Sequence, residues 1–249
     1  MSGDFSGLIA VVTGAGSGIG LAVSKKLKAQ GATVIGLDIQ EGEFKALGQM
    51  VRCDIASDES VTTAFNEISN SFDLIDILIN NAGIGAIGTV EDASSEEWNK
   101  VLNTNVIGTS RVTAAAIPYL RKSSSAAIVN TCSAVANFGF PKRAIYSASK
   151  GAILALTLSM ASDFLKENIR VNCVNPASTD TPWIAQLLSQ AEDPLRERAA
   201  LESRQPSGRL VSADEVANAI IYLAHPEQKS TTGTVLAVDS GLHSLYIPK

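Results

Sequence analysis

The stretch Thr13-Gly14-Ala15-Gly16-Ser17-Gly18-Ile19-Gly20 decides how this chain folds. It follows an apolar, β-branched run, Leu8-Ile9-Ala10-Val11-Val12, and precedes a helix-period segment through Leu21, Leu27 and Ala29 that Gly31 terminates. A strand, a glycine-rich turn and a helix in that order let the backbone turn tightly and approach a pyrophosphate, whose charge the helix N-terminus meets. Gly14, Ser17, Gly18, Ile19 and Gly20 are therefore candidate dinucleotide contacts.

Working outward, the next strand, Thr33-Val34-Ile35-Gly36-Leu37, ends at Asp38. A carboxylate at that point accepts both ribose hydroxyls of adenosine and repels a 2′-phosphate. Ile39 follows, where an Arg would favour NADP, so NAD is the expected cofactor. Asp54 and Ile55 follow a third strand, Met50-Val51-Arg52, with Asp54 placed to meet the adenine amino group. Asn81, Ala82 and Gly83 follow a fourth, Ile75–Ile79. Ligands of open α/β sheets bind at such strand ends, so both clusters join the cofactor candidates.

Further strands are expected at Ala126–Asn130, Arg170–Val174 and Thr234–Val238, with helices near 58–70, 95–122, 144–167 and 212–224. Strands apolar on both faces and separated by helices indicate an α/β fold, a Rossmann-type doubly wound parallel sheet. No linker or repeat interrupts residues 1–249, which read as a single domain. The segment 176–210 breaks the alternation; its Pro176, Pro182, Pro194 and Pro206 suit an excursion covering a site.

The 249 residues are 45% apolar and 18% charged, ample for a buried core and too apolar for disorder. A net charge of -5 leaves no electrostatic footprint for nucleic acid or an anionic membrane. No apolar run approaches the roughly 18 residues of a membrane span. The start, Met1-Ser2-Gly3-Asp4, lacks signal-peptide character, so a cytoplasmic location is expected. Cys53, Cys132 and Cys173 have neither disulfide-framework nor zinc spacing and read as core thiols; no metal is expected.

Tyr146 and Lys150 sit four residues apart, on one face of a helix. A phenol ordinarily titrates near pH ~10, and a neighbouring ammonium favours its phenolate. Ser133, just past the fifth strand, can share a substrate oxygen with that phenol. Asn105, an amide inside an apolar helix, is costly unless satisfied, and a water-bridged relay to Lys150 would satisfy it.

Together these residues resemble the short-chain dehydrogenase/reductase family over nearly the whole chain. Its TGxxxGxG pattern falls on Thr13 to Gly20, its NNAG on Asn80 to Gly83, and its catalytic tetrad on Asn105, Ser133, Tyr146 and Lys150. The resemblance implies hydride transfer with a nicotinamide, Tyr146 as proton donor or acceptor, Ser133 orienting the substrate oxygen and Lys150 also holding the nicotinamide ribose. It adds Tyr146, Pro176, Thr179 and Thr181 as cofactor contacts and implies a homotetramer or homodimer. Two departures stand out. Ala177 occupies the usual glycine of a Pro-Gly pair, and Ser240 interrupts the usual Asp-Gly-Gly. Ala177 is therefore expected either to strain a positive φ or to adopt another geometry. Ser240 is expected to affect subunit packing and leave the chemistry untouched.

For the substrate, Arg143 and Arg204 suggest two guanidiniums at the nicotinamide end, suited to a carboxylate. The C-terminal third resembles 2-keto-3-deoxy-fuconate and rhamnonate dehydrogenases and hydroxybutyrate dehydrogenase-like members. Asn137, Phe138, Trp183 and Leu187 are further pocket candidates. The leading expectation is an NAD-dependent dehydrogenase of a small hydroxy acid or sugar acid. The alternatives are a carbonyl reductase of other ketones or acyl-thioesters, and a non-catalytic NAD-binding sensor.

Overall fold

The computed structural model describes residues 3–189 and 191–246. The chain opens with β1 (Ile9–Thr13), α1 (Gly18–Ala29), β2 (Thr33–Asp38), β3 (Gln49–Arg52), α2 (Asp58–Ser69) and β4 (Ile77–Asn80). The middle holds α3 (Ser95–Leu102), α4 (Gly108–Leu120), β5 (Ala127–Thr131), α5 (Ala144–Asp163) and β6 (Arg170–Pro176). The excursion then contributes β7 (Thr179–Asp180), α6 (Pro182–Ser189), α7 (Pro194–Ser203) and β8 (Val211–Ser212), before α8 (Ala213–Ala224) and β9 (Val235–Val238).

Seven parallel strands form one sheet in the order β3-β2-β1-β4-β5-β6-β9, with β7 and β8 paired apart from it. The order reverses between β1 and β4, and a ligand crevice belongs at the carboxyl ends of such strands. Side chains alternate between two cores. Val11, Leu78 and Ile128 face the side covered by α2, α4 and α5, whereas Ala10, Val12, Ile77 and Ile79 face the side covered by α1 and α8. All seven are fully buried. The first helix ends as expected: Gly31, at φ +95°, follows the cap, and the N–H groups of Gly31 and Ala32 return to the carbonyls of Lys28 and Leu27.

Several element boundaries differ from the sequence reading. β4 begins two residues late, at Ile77; ahead of it the Asp76 carboxylate accepts the Ile9 N–H at 2.8 Å and the Ser123 hydroxyl at 2.5 Å. The helix expected over 95–122 is α3 and α4 joined by a π-helical turn, Asn103–Ile107. The helix expected over 144–167 ends at Asp163 and continues as a short 3₁₀ turn, Leu165–Glu167, closed by Asn168 at φ +57°. Among the described residues α5 is also long and apolar enough to cross a membrane by length and composition. It belongs instead to the fold: Ile153, Thr157 and Met160 are buried, as is the charged Lys150.

The excursion has a small core of its own, Ile184, Leu188, Leu201 and Leu210. Asp193 starts α7 by accepting the Arg196 N–H at 3.0 Å. Its exit is pinned where Ser212 and Glu215 form a reciprocal cap on α8 while Arg209 binds Glu215 at 2.7 Å.

Candidate active site

The glycine turn is built by close backbone approach. Gly14 has φ +67°, and a Cβ on Gly20 would lie 2.1 Å from the Gly14 carbonyl oxygen, so only glycine allows the helix to start this near the turn. Thr13 clasps the turn to the next strand end: its hydroxyl donates to the Ile79 carbonyl at 3.3 Å and accepts the N–H groups of Asn81 and Ala82 at 2.9 and 3.0 Å. Ser17 stands at the N-cap of α1 without a side-chain capping bond, so the first-turn N–H groups have no cap of their own. These features open onto a cleft of about 550 Å³ that also includes Asp38, Ile39, Asp54 and Ile55.

That cleft fits a dinucleotide: an uncapped helix N-terminus beside a glycine cradle suits a pyrophosphate, and a carboxylate stands at the end of β2. Asp38 is held there by backbone, its two oxygens accepting the N–H groups of Gly16 at 3.0 Å and Gln40 at 3.1 Å. Asp54 spends one oxygen on the Ala56 N–H at 2.9 Å. Gly14, Ser17, Gly18, Ile19, Asp38, Asp54, Ile55, Asn81, Ala82, Gly83 and Thr181 all line this cleft. Gly20 supports it from beneath. Pro176 and Thr179 line the neighbouring chamber instead.

That chamber, about 260 Å³, contains Ser133, Tyr146 and Lys150. One turn of α5 separates Tyr146 from Lys150, whose Nζ lies 5.7 Å from the centre of the Tyr146 ring. Lys150 is buried and donates to the Thr131 carbonyl at 2.8 Å. Ser133, just beyond β5, caps a short 3₁₀ turn by accepting the Val135 N–H at 3.5 Å. Asn105 lies in the π turn and is satisfied by protein: Nδ2 donates to the Ile84 carbonyl at 2.9 Å and Ser149 Oγ at 3.1 Å, and Oδ1 accepts the Ile84 N–H at 2.8 Å. A Cβ on Gly83 would sit 3.1 Å from Asn105 Oδ1 and 3.8 Å from Lys150 Nζ, so the bare glycine marks the gap between them.

Both arginines reach the same chamber. Arg143 caps α5, where it bridges Gly88 in a parallel contact, and its Nη1 donates to the Ala86 carbonyl at 3.4 Å. Lys142 before it is left-handed at φ +56°. Arg204 stacks over Phe140 at 5.7 Å. Burial, opposed by Tyr146 and Glu197 and reinforced by the like charge of Arg204, holds the Arg143 guanidinium below its usual range. An arginine keeps its proton even so, and an anion between the two relieves that repulsion.

Of the other pocket candidates, Phe138 and Trp183 line the chamber. Asn137 does not; its Oδ1 accepts the Asn175 amide at 3.0 Å. Leu187 lines an outer cavity on the far side of Arg143 and Arg204. The sequence reading missed Phe140, Gln205 and Leu242. Gln205 is buried, its Nε2 on the Leu201 carbonyl at 3.3 Å and its Oε1 without a protein partner. Its place directly after Arg204 was the available signal.

Ala177 adopts no left-handed backbone, so the departure from glycine there carries no such strain. Ser240 does, at φ +56°. Two residues on, Leu242 lines the chamber, while Ser240 itself does not. All three cysteines are free and buried, and burial pushes the Cys53 thiol up to about 11. Among the described residues no cluster of His, Cys, Asp and Glu could hold a metal.

A dinucleotide cleft opening beside a Tyr–Lys chamber at the carboxyl edge of this sheet defines an oxidoreductase of CH–OH or carbonyl groups. A family model described as enoyl-(acyl carrier protein) reductase matches residues 14–243. The chain is 34% identical over 244 residues to dehydrogenase/reductase SDR family member 6 of Rattus norvegicus, covering 96% of this chain and 98% of that one. It is 34% identical over 251 residues to cis-4-hydroxycyclohexanecarboxylate dehydrogenase of Sinomonas cyclohexanicum, covering 97% and 98%. Ligand-free aldohexose dehydrogenase of Thermoplasma acidophilum has the same fold, with a TM-score of 0.91 and 32% identity over the full length of both chains. This chain belongs to the short-chain dehydrogenase/reductase family, whose members use NAD or NADP, act on small molecules and commonly form oligomers.

Proposed function

We propose that this protein is an NAD-dependent dehydrogenase that oxidises the secondary hydroxyl of a small hydroxy acid. The observation that carries this reading is the shared chamber: Ser133, Tyr146 and Lys150 line the same cavity as Arg143 and Arg204. Two guanidiniums beside one reacting site suit a carboxylate bound in bidentate fashion. The Sinomonas relative, named for a hydroxy acid, supports the same class. Gln205 offers an acceptor next to Arg204 for a second hydroxyl, as a sugar acid would carry. An acyl-thioester is the alternative substrate class, in keeping with the family model's description.

When bound, the nicotinamide supplies the hydride acceptor. The chain's own residues manage the proton and the geometry. Ser133 Oγ orients the substrate oxygen, and Tyr146 takes its proton. The buried Lys150 holds its Nζ 5.7 Å from the centre of the Tyr146 ring, which sets a cation beside the group that carries the proton. Asn105, satisfied by protein where a water-bridged relay was expected to satisfy it, fixes Ile84 and Ser149, the residue before Lys150.

NAD is the proposed cofactor because Asp38 stands where a 2′-phosphate would fall and Ile39 provides no cation. A cytoplasmic homotetramer or homodimer completes the proposal. NADH formation at 340 nm, with NAD and then NADP, over hydroxy acids, sugar acids and neutral secondary alcohols tests it. Turnover confined to NAD and acids is expected. Turnover of neutral alcohols alone, or with NADP alone, overturns it.

A further inference from the structure

Trp183 stands where three cavities meet. It lines the dinucleotide cleft, the chamber with Tyr146, and a third cavity of about 310 Å³ on the outer side. Among the described residues it is the only aromatic one bordering both the cleft and the chamber. The six-membered ring of its indole closes on Gly85: a Cβ there would be 2.4 Å from Trp183 Cζ2. The rest of α6 turns Ile184 and Leu188 toward the excursion's own small core. Trp183 is 44% exposed, so apart from its contact with Gly85 it stands open to the cavities.

Besides the third cavity at Gly85 and Trp183, the chamber has two open borders. One, at Phe140, Arg143 and Arg204, leads to the outer cavity, and the other leads to the dinucleotide cleft. A substrate whose carboxylate sits at the arginines presents its carbinol carbon toward the cleft border, because that carbon must meet both Tyr146 and the cofactor. The carbinol carbon carries a second substituent besides the acid-bearing arm, and Trp183 is the bulky side chain at that border. We infer that Trp183 is the specificity-determining residue that limits this second substituent to a small alkyl group. Gly85 is its counterpart: with no side chain there, the indole can come this close to the backbone.

The inference rests on the proposed hydroxy-acid reading, so two experiments separate the two. In the first, Trp183→Ala and Trp183→Phe are compared with wild type on hydroxy acids whose carbinol substituent grows from methyl to isopropyl. The ratio of kcat/KM for the bulky over the small acid is expected to rise about tenfold or more in Trp183→Ala, the size of effect that pocket shape gives to one or two methylenes, and less in Trp183→Phe. An unchanged ratio overturns the inference while leaving the hydroxy-acid reading intact.

The second experiment needs no turnover. In a Trp98→Phe background Trp183 is the sole indole. Acrylamide quenching is measured free, with NAD, and with NAD plus cyclohexanecarboxylate, with binding followed by calorimetry. The quenching constant is expected to fall at least twofold as the ring is covered from both cavities. Bound NAD and bound acid with unchanged quenching overturn the inference. A fall in quenching with no acid turned over in any assay upholds the placement of Trp183 and counts against the substrate reading alone.

Discussion

The two sides of the central crevice are made by different means. On the dinucleotide side the shape comes from backbone: Gly14 and Gly20 in near contact, the Thr13 clasp, and Asp38 tied to Gly16. On the substrate side it comes from side chains gathered from far apart, among them Phe140, Arg143, Trp183, Arg204 and Leu242. The first is braced by the main sheet. The second leans on an excursion with four buried leucines and isoleucines of its own. A site of this kind holds its cofactor geometry fixed and leaves substrate choice to a few replaceable side chains.

The comparison is broken most severely by removing the proton carrier that serves both sides. Tyr146→Phe is expected to lower kcat about 10²- to 10⁴-fold while calorimetry finds NAD binding unchanged. Weakened NAD binding of equal size would place Tyr146 in the cofactor seat instead. On the dinucleotide side, Gly20→Ala forces a methyl into the Gly14 carbonyl. Overpacking of that kind costs about 1–3 kcal/mol, so the dissociation constant for NAD is expected to rise roughly 10- to 100-fold. The Tm of the variant shows whether any of that is lost fold. Asp38→Ser is expected to shift the NAD-to-NADP affinity ratio about tenfold or more toward NADP, the worth of charged hydrogen bonds to one ribose.

The smallest effect lies where the two regions join. The Arg209 guanidinium and the Ser212 cap hold the Glu215 carboxyl down at about 2, below its ordinary 4.5. A depressed carboxylate contributes stability above its ordinary value and loses it as pH falls from about 4.5 toward 2. The pair is largely exposed and screened, so Glu215→Ala is expected to cost about 1 kcal/mol at pH 7, a Tm drop of about 2–4 °C. That cost should shrink at pH 3, and thermal scans at the two pH values check it. An equal drop at both would mean the cap works without its charge.

The same contrast explains what the sequence made legible. The dinucleotide side could be read because Gly14, Gly18 and Gly20 crowd one turn and Asp38 ends the very next strand, and their physics is local: a turn, a helix end, a strand end. Tyr146 and Lys150 were legible for the same reason, being one helical turn apart. The chamber walls were not. Leu242 reaches the chamber from beyond the last strand, and nothing in its neighbourhood signals that. Asn137 looked like a pocket residue by proximity to Ser133, yet its amide is drawn to Asn175 on the neighbouring strand. The π turn at Asn105 was hidden because its cause is a loop distant in sequence: Ile84 takes the side chain's hydrogen bonds.

The central claim is that one chamber joins the proton-transfer residues to an acid-binding pair. The direct measurement is kcat/KM with NAD for a hydroxy acid and for a neutral secondary alcohol of the same shape, in wild type and in Arg143→Leu/Arg204→Leu. The acid is predicted to lose about 100-fold or more, from lost charge-assisted hydrogen bonds, while the neutral alcohol keeps its rate within a few-fold. Equal losses for both substrates, or none for either, would contradict the account.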